Sequence, residues 1–183
     1  MRRRTDQAHL RRFLEALGRR VRRPLRFYLV GGSVLIDLGL RPATLDIDYV
    51  ADADDPETLA QLELAIRSLK IELDVNVEPA SPADFLPIPS SALDRSRYVG
   101  QFGPVAVYYY HLPSLIIGKA ARGLEQDLAD AVRLIRAGEV DWEEVEATWR
   151  EVRASPAGWL RYEPAEVEQR LEVIRQRLGL APP

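Results

Sequence analysis

The sequence predicts an α+β fold in which strands and helices alternate up to about residue 110 and only helices follow. Short segments rich in aromatic and β-branched residues, bounded by glycine or proline, occur in the first part and are typical of strands. From Pro113 onward the apolar residues recur at helical spacing. With 183 residues, 46% of them hydrophobic, the chain has the size of about one domain and enough apolar surface for a core.

The first elements are a helix and two strands. A helix is predicted over residues 5–22, because apolar residues recur there at helical spacing, Thr5 can cap its start and Pro24 ends it. The aromatic and branched residues of 25–30 predict a strand. The remaining elements before residue 70 are a Gly31-Gly32 turn, a short helix over 33–38, a second strand over 45–50 and a helix over 56–69 that begins at Pro56.

A third strand is predicted over 71–77, where apolar and polar residues alternate. Residues 79–94 hold four prolines and three serines and are expected to form a loop. Edge strands near 97–102 and 104–110 and helices over 113–122, 124–137, 141–152 and 164–178 complete the prediction. We therefore expect a basic N-terminal helix packed on the core (1–24), a core (25–111) and a helical C-terminal region (112–183).

Composition excludes several classes of protein. The chain has no cysteine, which removes disulfides, thiolate nucleophiles and cysteine-bound zinc or iron–sulfur centres. No run approaches the roughly 18 consecutive apolar residues that a membrane span needs. The arginines after Met1 are not followed by the apolar segment of a secretory signal. The expectation is a cytoplasmic protein without membrane contact.

Charge is spread unevenly along the chain. The net charge is −3, yet residues 1–26 hold ten arginines against two acidic residues. A basic arm on an acidic body can contact phosphate, an acidic partner, or the body itself. The sequence leaves these alternatives open.

The most informative segment runs from Leu29 to Val50. Strand alternation places Asp46 and Asp48 on one face. Paired carboxylates repel each other unless a cation lies between them, and Mg²⁺ typically binds one or two carboxylates together with substrate phosphates. The preceding glycine turn lets backbone approach a phosphate, and the helix that starts at Ser33 would offer N–H groups to an anion. One surface thus combines a phosphate cradle with a metal-binding pair.

A third carboxylate would complete a two-metal site of the kind that clamps the attacking and leaving oxygens of a phosphoryl displacement. Asp74 is the candidate, because it is expected in mid-strand on the polar face of 71–77. Glu72, Asn76 and Glu78 share that face.

These residues resemble the nucleotidyltransferase superfamily, which has the DNA polymerase β-like fold. Its signature is a Gly-Gly/Ser turn, a gap similar to the one here, and then Asp-hydrophobic-Asp/Glu, which Gly31-Gly32-Ser33 and Asp46-Ile47-Asp48 match. The resemblance implies a mixed β-sheet with flanking helices, an NTP substrate and two Mg²⁺ ions. Asp46, Asp48 and Asp74 would be the catalytic metal ligands, and Gly31, Gly32 and Ser33 would bind the nucleotide phosphates.

A second stretch is similar to AbiEii-like toxins and related bacterial nucleotidyltransferases. This resemblance rests on the residues from Arg41 to Asp48 and on the downstream motif Lys119…Arg122…Asp127…Asp130. Gln126 stands where that family usually has Arg or Lys, and the chain is short beside those toxins. The resemblance implies that Lys119 is catalytic and holds nucleotide phosphates, and that the nucleotide site also includes Arg41, Arg122, Asp127 and Asp130.

Structural interpretations stand beside these functional ones. Lys119 and Arg122 form a like-charged i, i+3 pair, and so do Asp127 and Asp130. Such a pair is unfavourable on an isolated helix, so each needs an opposite charge nearby, either phosphate or the other pair. Arg41 is a phosphate ligand or a surface loop charge. The lone His111 before Pro113 is more typical of a structural histidine than of a general base.

The function implied is Mg²⁺-dependent transfer of NMP from an NTP to an acceptor hydroxyl. The AbiEii-like resemblance suggests an RNA acceptor, such as tRNA held by the basic arm, and a toxin with a cognate antitoxin. One alternative is a minimal nucleotidyltransferase antitoxin that adenylylates a partner protein. Another is a catalytically silent domain that binds nucleotide or RNA.

Overall fold

A computed structural model describes residues 4–84, 86–155, 159 and 161–181. The chain forms two compact units. The first comprises residues up to 81 together with 96–110, and the second comprises 82–95 together with 111 onward. In the part of the chain that the structure describes, no helix is long and apolar enough to cross a membrane.

The first unit is built on one mixed five-stranded sheet. The strand order is β3-β2-β1-β5-β4, with β1 antiparallel to β2, β1 parallel to β5, β2 parallel to β3 and β4 antiparallel to β5. The strands are β1 (Leu25–Val30), β2 (Asp46–Asp52), β3 (Asn76–Pro79), β4 (Arg97–Phe102) and β5 (Val105–Tyr109). The first unit also contains helices α1 (Gln7–Arg20), α2 (Gly32–Asp37) and α3 (Pro56–Glu72). The α+β class with flanking helices is confirmed.

An aromatic contact joins α1 to one face of this sheet. Phe13 of α1 contacts Phe27 of β1 at 6.2 Å between ring centroids, and Phe27 stacks on Tyr49 of β2 at 4.8 Å. Phe13, Phe27 and the neighbouring Ile47 are fully buried. This face is therefore the apolar core of the first unit, and polar side chains of the strands are left to the opposite face.

The N-terminal helix begins differently from the prediction. Asp6, not Thr5, is the cap, since the Asp6 carboxylate accepts a hydrogen bond of 2.8 Å from the His9 backbone N–H. Thr5 instead exchanges two backbone hydrogen bonds of 2.8 Å with Thr44, which lies just before β2. The prediction that Thr5 caps α1 was wrong because both residue types can cap a helix, and only long-range pairing decides between them.

The predicted strand over 71–77 is also wrong. Helix α3 continues to Glu72, and the strand is the shorter β3, Asn76–Pro79. Ile71, expected to face a core, is 83% exposed, whereas Ile66 and Leu69 continue the buried helical face. Alternation over a few residues at the end of a helix matched the strand period by chance, and tertiary packing selected the helical period.

The two strands predicted as edges have different positions. β4 is an edge strand, but β5 lies between β1 and β4. Val105 and Val107 are fully buried, as expected for an interior strand. Local sequence does not show which strands a segment pairs with, so the edge assignment of 104–110 was wrong.

The second unit is helical, as predicted. Its helices are α4 (Leu112–Arg122), α5 (Glu125–Arg136), α6 (Trp142–Ala154) and α7 (Pro164–Leu178), preceded by two short 3₁₀ turns, Pro82–Asp84 and Ser90–Ala92. Asp141 and Glu144 form a capping box at the start of α6. Gly123 and Gly179 end α4 and α7 in the left-handed conformation. Of these helices, α4 is buried along most of its length, so it forms the centre of this unit.

Candidate active site

The two aspartates of β2 lie on one face of the sheet. Asp46 and Asp48 are half-buried, whereas Ile47 and Tyr49 between and after them are buried in the core. Asp48 lies opposite Val30, the last residue of β1. The predicted shared face of the aspartates is therefore present, at the end of β1 where the chain enters the glycine turn.

The glycine turn between β1 and α2 lies against these residues. Gly31 has φ +61°, and a Cβ atom there would lie 2.7 Å from Asp48 Oδ2. A Cβ atom on Gly32 would lie 2.5 Å from Thr44 Oγ1 and 3.4 Å from a guanidinium nitrogen of Arg41. Glycine is needed at both positions because the Asp48 carboxylate and the Thr44 hydroxyl occupy the space of a side chain.

Ser33 stabilises the turn from inside. Its hydroxyl is fully buried and lies 2.6 Å from the Val30 carbonyl oxygen and 3.2 Å from the Asp48 carbonyl oxygen. The side chain thus joins the end of β1 to β2. The sequence placed Ser33 at a phosphate, but in the structure its hydroxyl hydrogen-bonds the protein.

Replacing Gly31 with alanine is expected to move Asp48. A positive φ with the extended ψ of Gly31 costs an L-residue about 1 kcal/mol or more, and the new methyl group would contact the Asp48 carboxylate. We expect a loss of about 1–3 kcal/mol in the free energy of unfolding, measured by urea denaturation. Gly138→Ala is the matched control, since Gly138 also has positive φ but has nothing within 4 Å of its added Cβ. Equal losses in the two variants would contradict the close packing of Asp48 on Gly31.

A carboxylate and an amide on β3 share the Asp46–Asp48 face. In the parallel register, Asn76 lies opposite Asp46 and Glu78 lies opposite Asp48. The Asn76 amide nitrogen donates to Asp46 Oδ1 at 2.5 Å and to Glu78 Oε1 at 2.6 Å. The structure therefore brings Glu78 and Asn76 to the site. From the sequence, both are expected only as neighbours of Asp74 on the polar face, and the alternation of 75–78 was the signal that could have found them.

Asp74, the predicted third carboxylate, is not on a strand. It is exposed, with φ +50°, in the turn between α3 and β3. The basis for choosing it, a mid-strand position on the polar face, is wrong. Glu78, which lies on β3 opposite Asp48, has the strand position that was expected for Asp74.

The downstream residues form a cluster in the second unit. Lys119 is 4% exposed, and its Nζ donates to Asp127 Oδ1 at 3.0 Å and to Asp130 Oδ2 at 3.3 Å. Arg122 donates to Asp127 at 2.6 Å and Arg133 donates to Asp130 at 2.9 Å. The two like-charged pairs thus neutralise each other, which is the arrangement that the structural interpretation anticipated.

The donor set of the first unit fits a magnesium–triphosphate. Among the described residues, no three histidine, aspartate or glutamate side chains converge closely enough to hold a metal ion by themselves. Two carboxylates beside a close-packed glycine turn match what Mg²⁺ uses when phosphate oxygens supply the rest of its ligands. Asp46 and Asp48 would hold such an ion, and Glu78 lies opposite Asp48 on the neighbouring strand.

A mixed sheet in which paired aspartates follow a glycine turn is the arrangement that the resemblance to nucleotidyltransferases predicts. Residues 8–163 match the family described as "Nucleotidyltransferase of unknown function (DUF6036)". The chain belongs to this family and is a nucleotidyltransferase. No curated protein and no solved structure matches the chain.

Proposed function

We propose that the chain transfers a nucleoside monophosphate from an NTP to an acceptor hydroxyl, and that it does so with Mg²⁺. The observation that carries this proposal is the position of Asp46 and Asp48 on one face of β2, with the Asp48 carboxylate packed on Gly31. Bound Mg²⁺ would neutralise phosphate charge and polarise the α-phosphoryl group.

The residues of the chain position the reactants. The Gly31-Gly32 backbone offers close approach to the phosphates, and Arg41, whose guanidinium lies beside Gly32, can add a charge-assisted hydrogen bond. The acceptor oxygen would form a bond to the α-phosphorus as the bond from that phosphorus to the bridging oxygen breaks. Pyrophosphate leaves, and the hydroxyl proton passes to a nearby carboxylate, for which Glu78 is suitably placed on β3.

In the part of the chain that the structure describes, the arginines of the basic arm, residues 1–26, divide into those that pair with acidic residues of the chain and those that do not. Three of its arginines pair with the acidic body: Arg20 with Glu72, Arg23 with Asp55 and Glu57, and Arg26 with Asp52.

Other arginines of the arm are available for a partner. Arg11, Arg12, Arg19 and Arg22 are exposed and form no ion pair with any residue that the structure describes. Arg2 and Arg3 lie outside the described residues. Arginines contact a phosphate backbone whatever its base sequence, so these side chains suit a nucleic-acid acceptor. From the AbiEii-like resemblance we infer that this acceptor is RNA. The biological role we propose is that of a toxin with a cognate antitoxin.

The test is a transfer assay with each α-³²P-labelled NTP, Mg²⁺ and either total tRNA or cell lysate. We expect label on RNA with the wild type and none with the Asp46→Asn/Asp48→Asn double variant. Asp52→Asn is the matched control, because Asp52 lies on the same strand away from the turn and pairs with Arg26.

Other outcomes separate the alternatives. Label on a protein band would replace the RNA acceptor with a protein and favour an adenylylating enzyme. Label that persists in the double variant would exclude Asp46 and Asp48 as the catalytic pair. No label with any NTP and either acceptor would contradict the proposal and favour a silent binding domain.

A further inference from the structure

Asn76 is the most buried of four neighbouring polar residues on β2 and β3, the others being Asp46, Asp48 and Glu78. It is 6% exposed and lies opposite Asp46 in the β2–β3 register. Its amide nitrogen donates to Asp46 Oδ1 and to Glu78 Oε1, so both hydrogens of one NH₂ group are used by two different carboxylates. A single side chain therefore links a residue of β2 to a residue of β3.

The orientation of this amide is determined by the carboxylates. The Asn76 Oδ1 atom is buried and has no hydrogen-bond partner among the described residues. A buried acceptor without a partner costs free energy. Turning the amide over would place this oxygen against two carboxylate oxygens, which is worse because all three atoms only accept. The amide therefore keeps its two donated hydrogen bonds and leaves its oxygen without a partner among the described residues.

The donated bonds also counter electrostatic repulsion. Asp46 and Glu78 are both acidic, and their accepting oxygens lie close together because they share one donor nitrogen. An N–H between two carboxylates screens their charges without adding a charge of its own. The bond from Asn76 uses only Oδ1 of Asp46, so the second oxygen, Oδ2, is not needed for it.

We propose that Asn76 is a positioning residue of the transfer site. It fixes the carboxylates of Asp46 and Glu78 in the orientation that receives the cation and the triphosphate, and it touches neither. This inference rests on the proposed function. Partners that orient metal ligands typically change metal affinity by about 10- to 100-fold when they are removed.

The test compares Asn76→Leu with the wild type. Leucine keeps the branch at Cγ that asparagine has and cannot donate a hydrogen bond. The probe is Mn²⁺, followed by the loss of its free electron paramagnetic resonance signal, with the non-hydrolysable α,β-methylene analogue of each NTP. We expect the apparent Kd for Mn²⁺ to rise at least 10-fold, and kcat to fall more than KM for the NTP changes at saturating metal.

A double-variant cycle separates positioning from a general structural role. If Asn76 acts by holding Glu78, Asn76→Leu and Glu78→Gln are expected to weaken Mn²⁺ binding together by less than the product of their separate effects. Asp52→Asn serves as the control partner, since its effect on Mn²⁺ binding should combine with that of Asn76→Leu as independent factors.

The failures are distinguishable. If the wild type binds no Mn²⁺ with any analogue, the proposed function fails. If the wild type binds and a folded Asn76→Leu binds equally well, or if its effect multiplies fully with that of Glu78→Gln, only the role of Asn76 is overturned. Where Asn76→Leu does not fold, Asn76→Ala removes the amide without adding bulk or charge, and unchanged Mn²⁺ affinity in that variant would overturn the inference.

Discussion

Replacing Lys119 with methionine is expected to remove about 3–5 kcal/mol from the free energy of unfolding. The Lys119 ammonium group is the shared partner of Asp127 and Asp130, whose side chains are 5% and 0% exposed. Without it, each buried carboxylate would keep only an arginine partner whose own side chain is exposed to solvent. Breaking a buried ion pair from one side typically costs this much. Asp127 Oδ2 already has no hydrogen-bond partner among the described residues, so the loss of Lys119 would leave this carboxylate with still fewer hydrogen bonds.

Urea denaturation at neutral pH measures this effect. Arg122→Gln is the matched control, since its side chain is 46% exposed and solvent screens its pair with Asp127, so we expect a loss of about 1 kcal/mol or less. The measurement also separates the two interpretations of Lys119. A variant of normal stability that no longer binds NTP would contradict the structural role and restore the phosphate contact implied by the AbiEii-like resemblance.

Acidification is expected to destabilise the second unit through His111. Burial, with a further contribution from the charge of Arg95, lowers the pKa of His111 to about 4, although Glu151 acts in the opposite direction. The imidazole is 7% exposed, and its Nδ1 lies 2.8 Å from Ser114 Oγ. The unfolded chain binds the proton near pH 6.5 and the folded chain only near pH 4. Stability from this group is therefore complete above pH 6.5 and decreases as the pH falls from about 6.5 to 4.

The size of this effect is at most about 3.5 kcal/mol, from roughly 1.4 kcal/mol for each pH unit between the pKa values of 6.5 and about 4. His111→Asn keeps a polar group near Ser114 but does not titrate. We expect the stability difference between wild type and His111→Asn to change in favour of the variant between pH 7 and pH 4.5. Comparing the two proteins at each pH cancels the titration of the other groups. Parallel curves would show that His111 is not buried in the neutral form.

The strongest local signals in the sequence predicted most of the secondary structure. The α+β class, the strands at 25–30 and 45–50 and the four C-terminal helices agree with the structure to within a few residues. Long periodic segments and glycine or proline boundaries are local properties, so they can be recognised without knowledge of any tertiary contact. At residues 71–77 a strand-like alternation competed with the helical spacing of α3. The alternation covered fewer residues and gave the wrong prediction.

The candidate site divides in the same way. Asp46 and Asp48 could be predicted because two residues on one strand share a face whatever the strand pairs with. Glu78 could not be predicted, since its position depends on the end of α3 and on the register of β3 against β2. The same holds for Lys119: the sequence shows the like-charged pairs, but only the packing of α4 on α5 shows that they neutralise each other.

The sequence by itself thus determined the class of fold, the glycine turn and the aspartate pair, all of which depend on spacing along a single element. Tertiary structure decided which residues of β3 lie beside the aspartates, namely Asn76 and Glu78. It also decided the division of the arginine arm between Arg20, which pairs with Glu72, and exposed residues such as Arg19. The physical reason is that hydrogen bonds and ion pairs between residues distant in sequence depend on strand register and helix packing. Register and packing are set by the burial of the whole apolar core, which no local pattern contains.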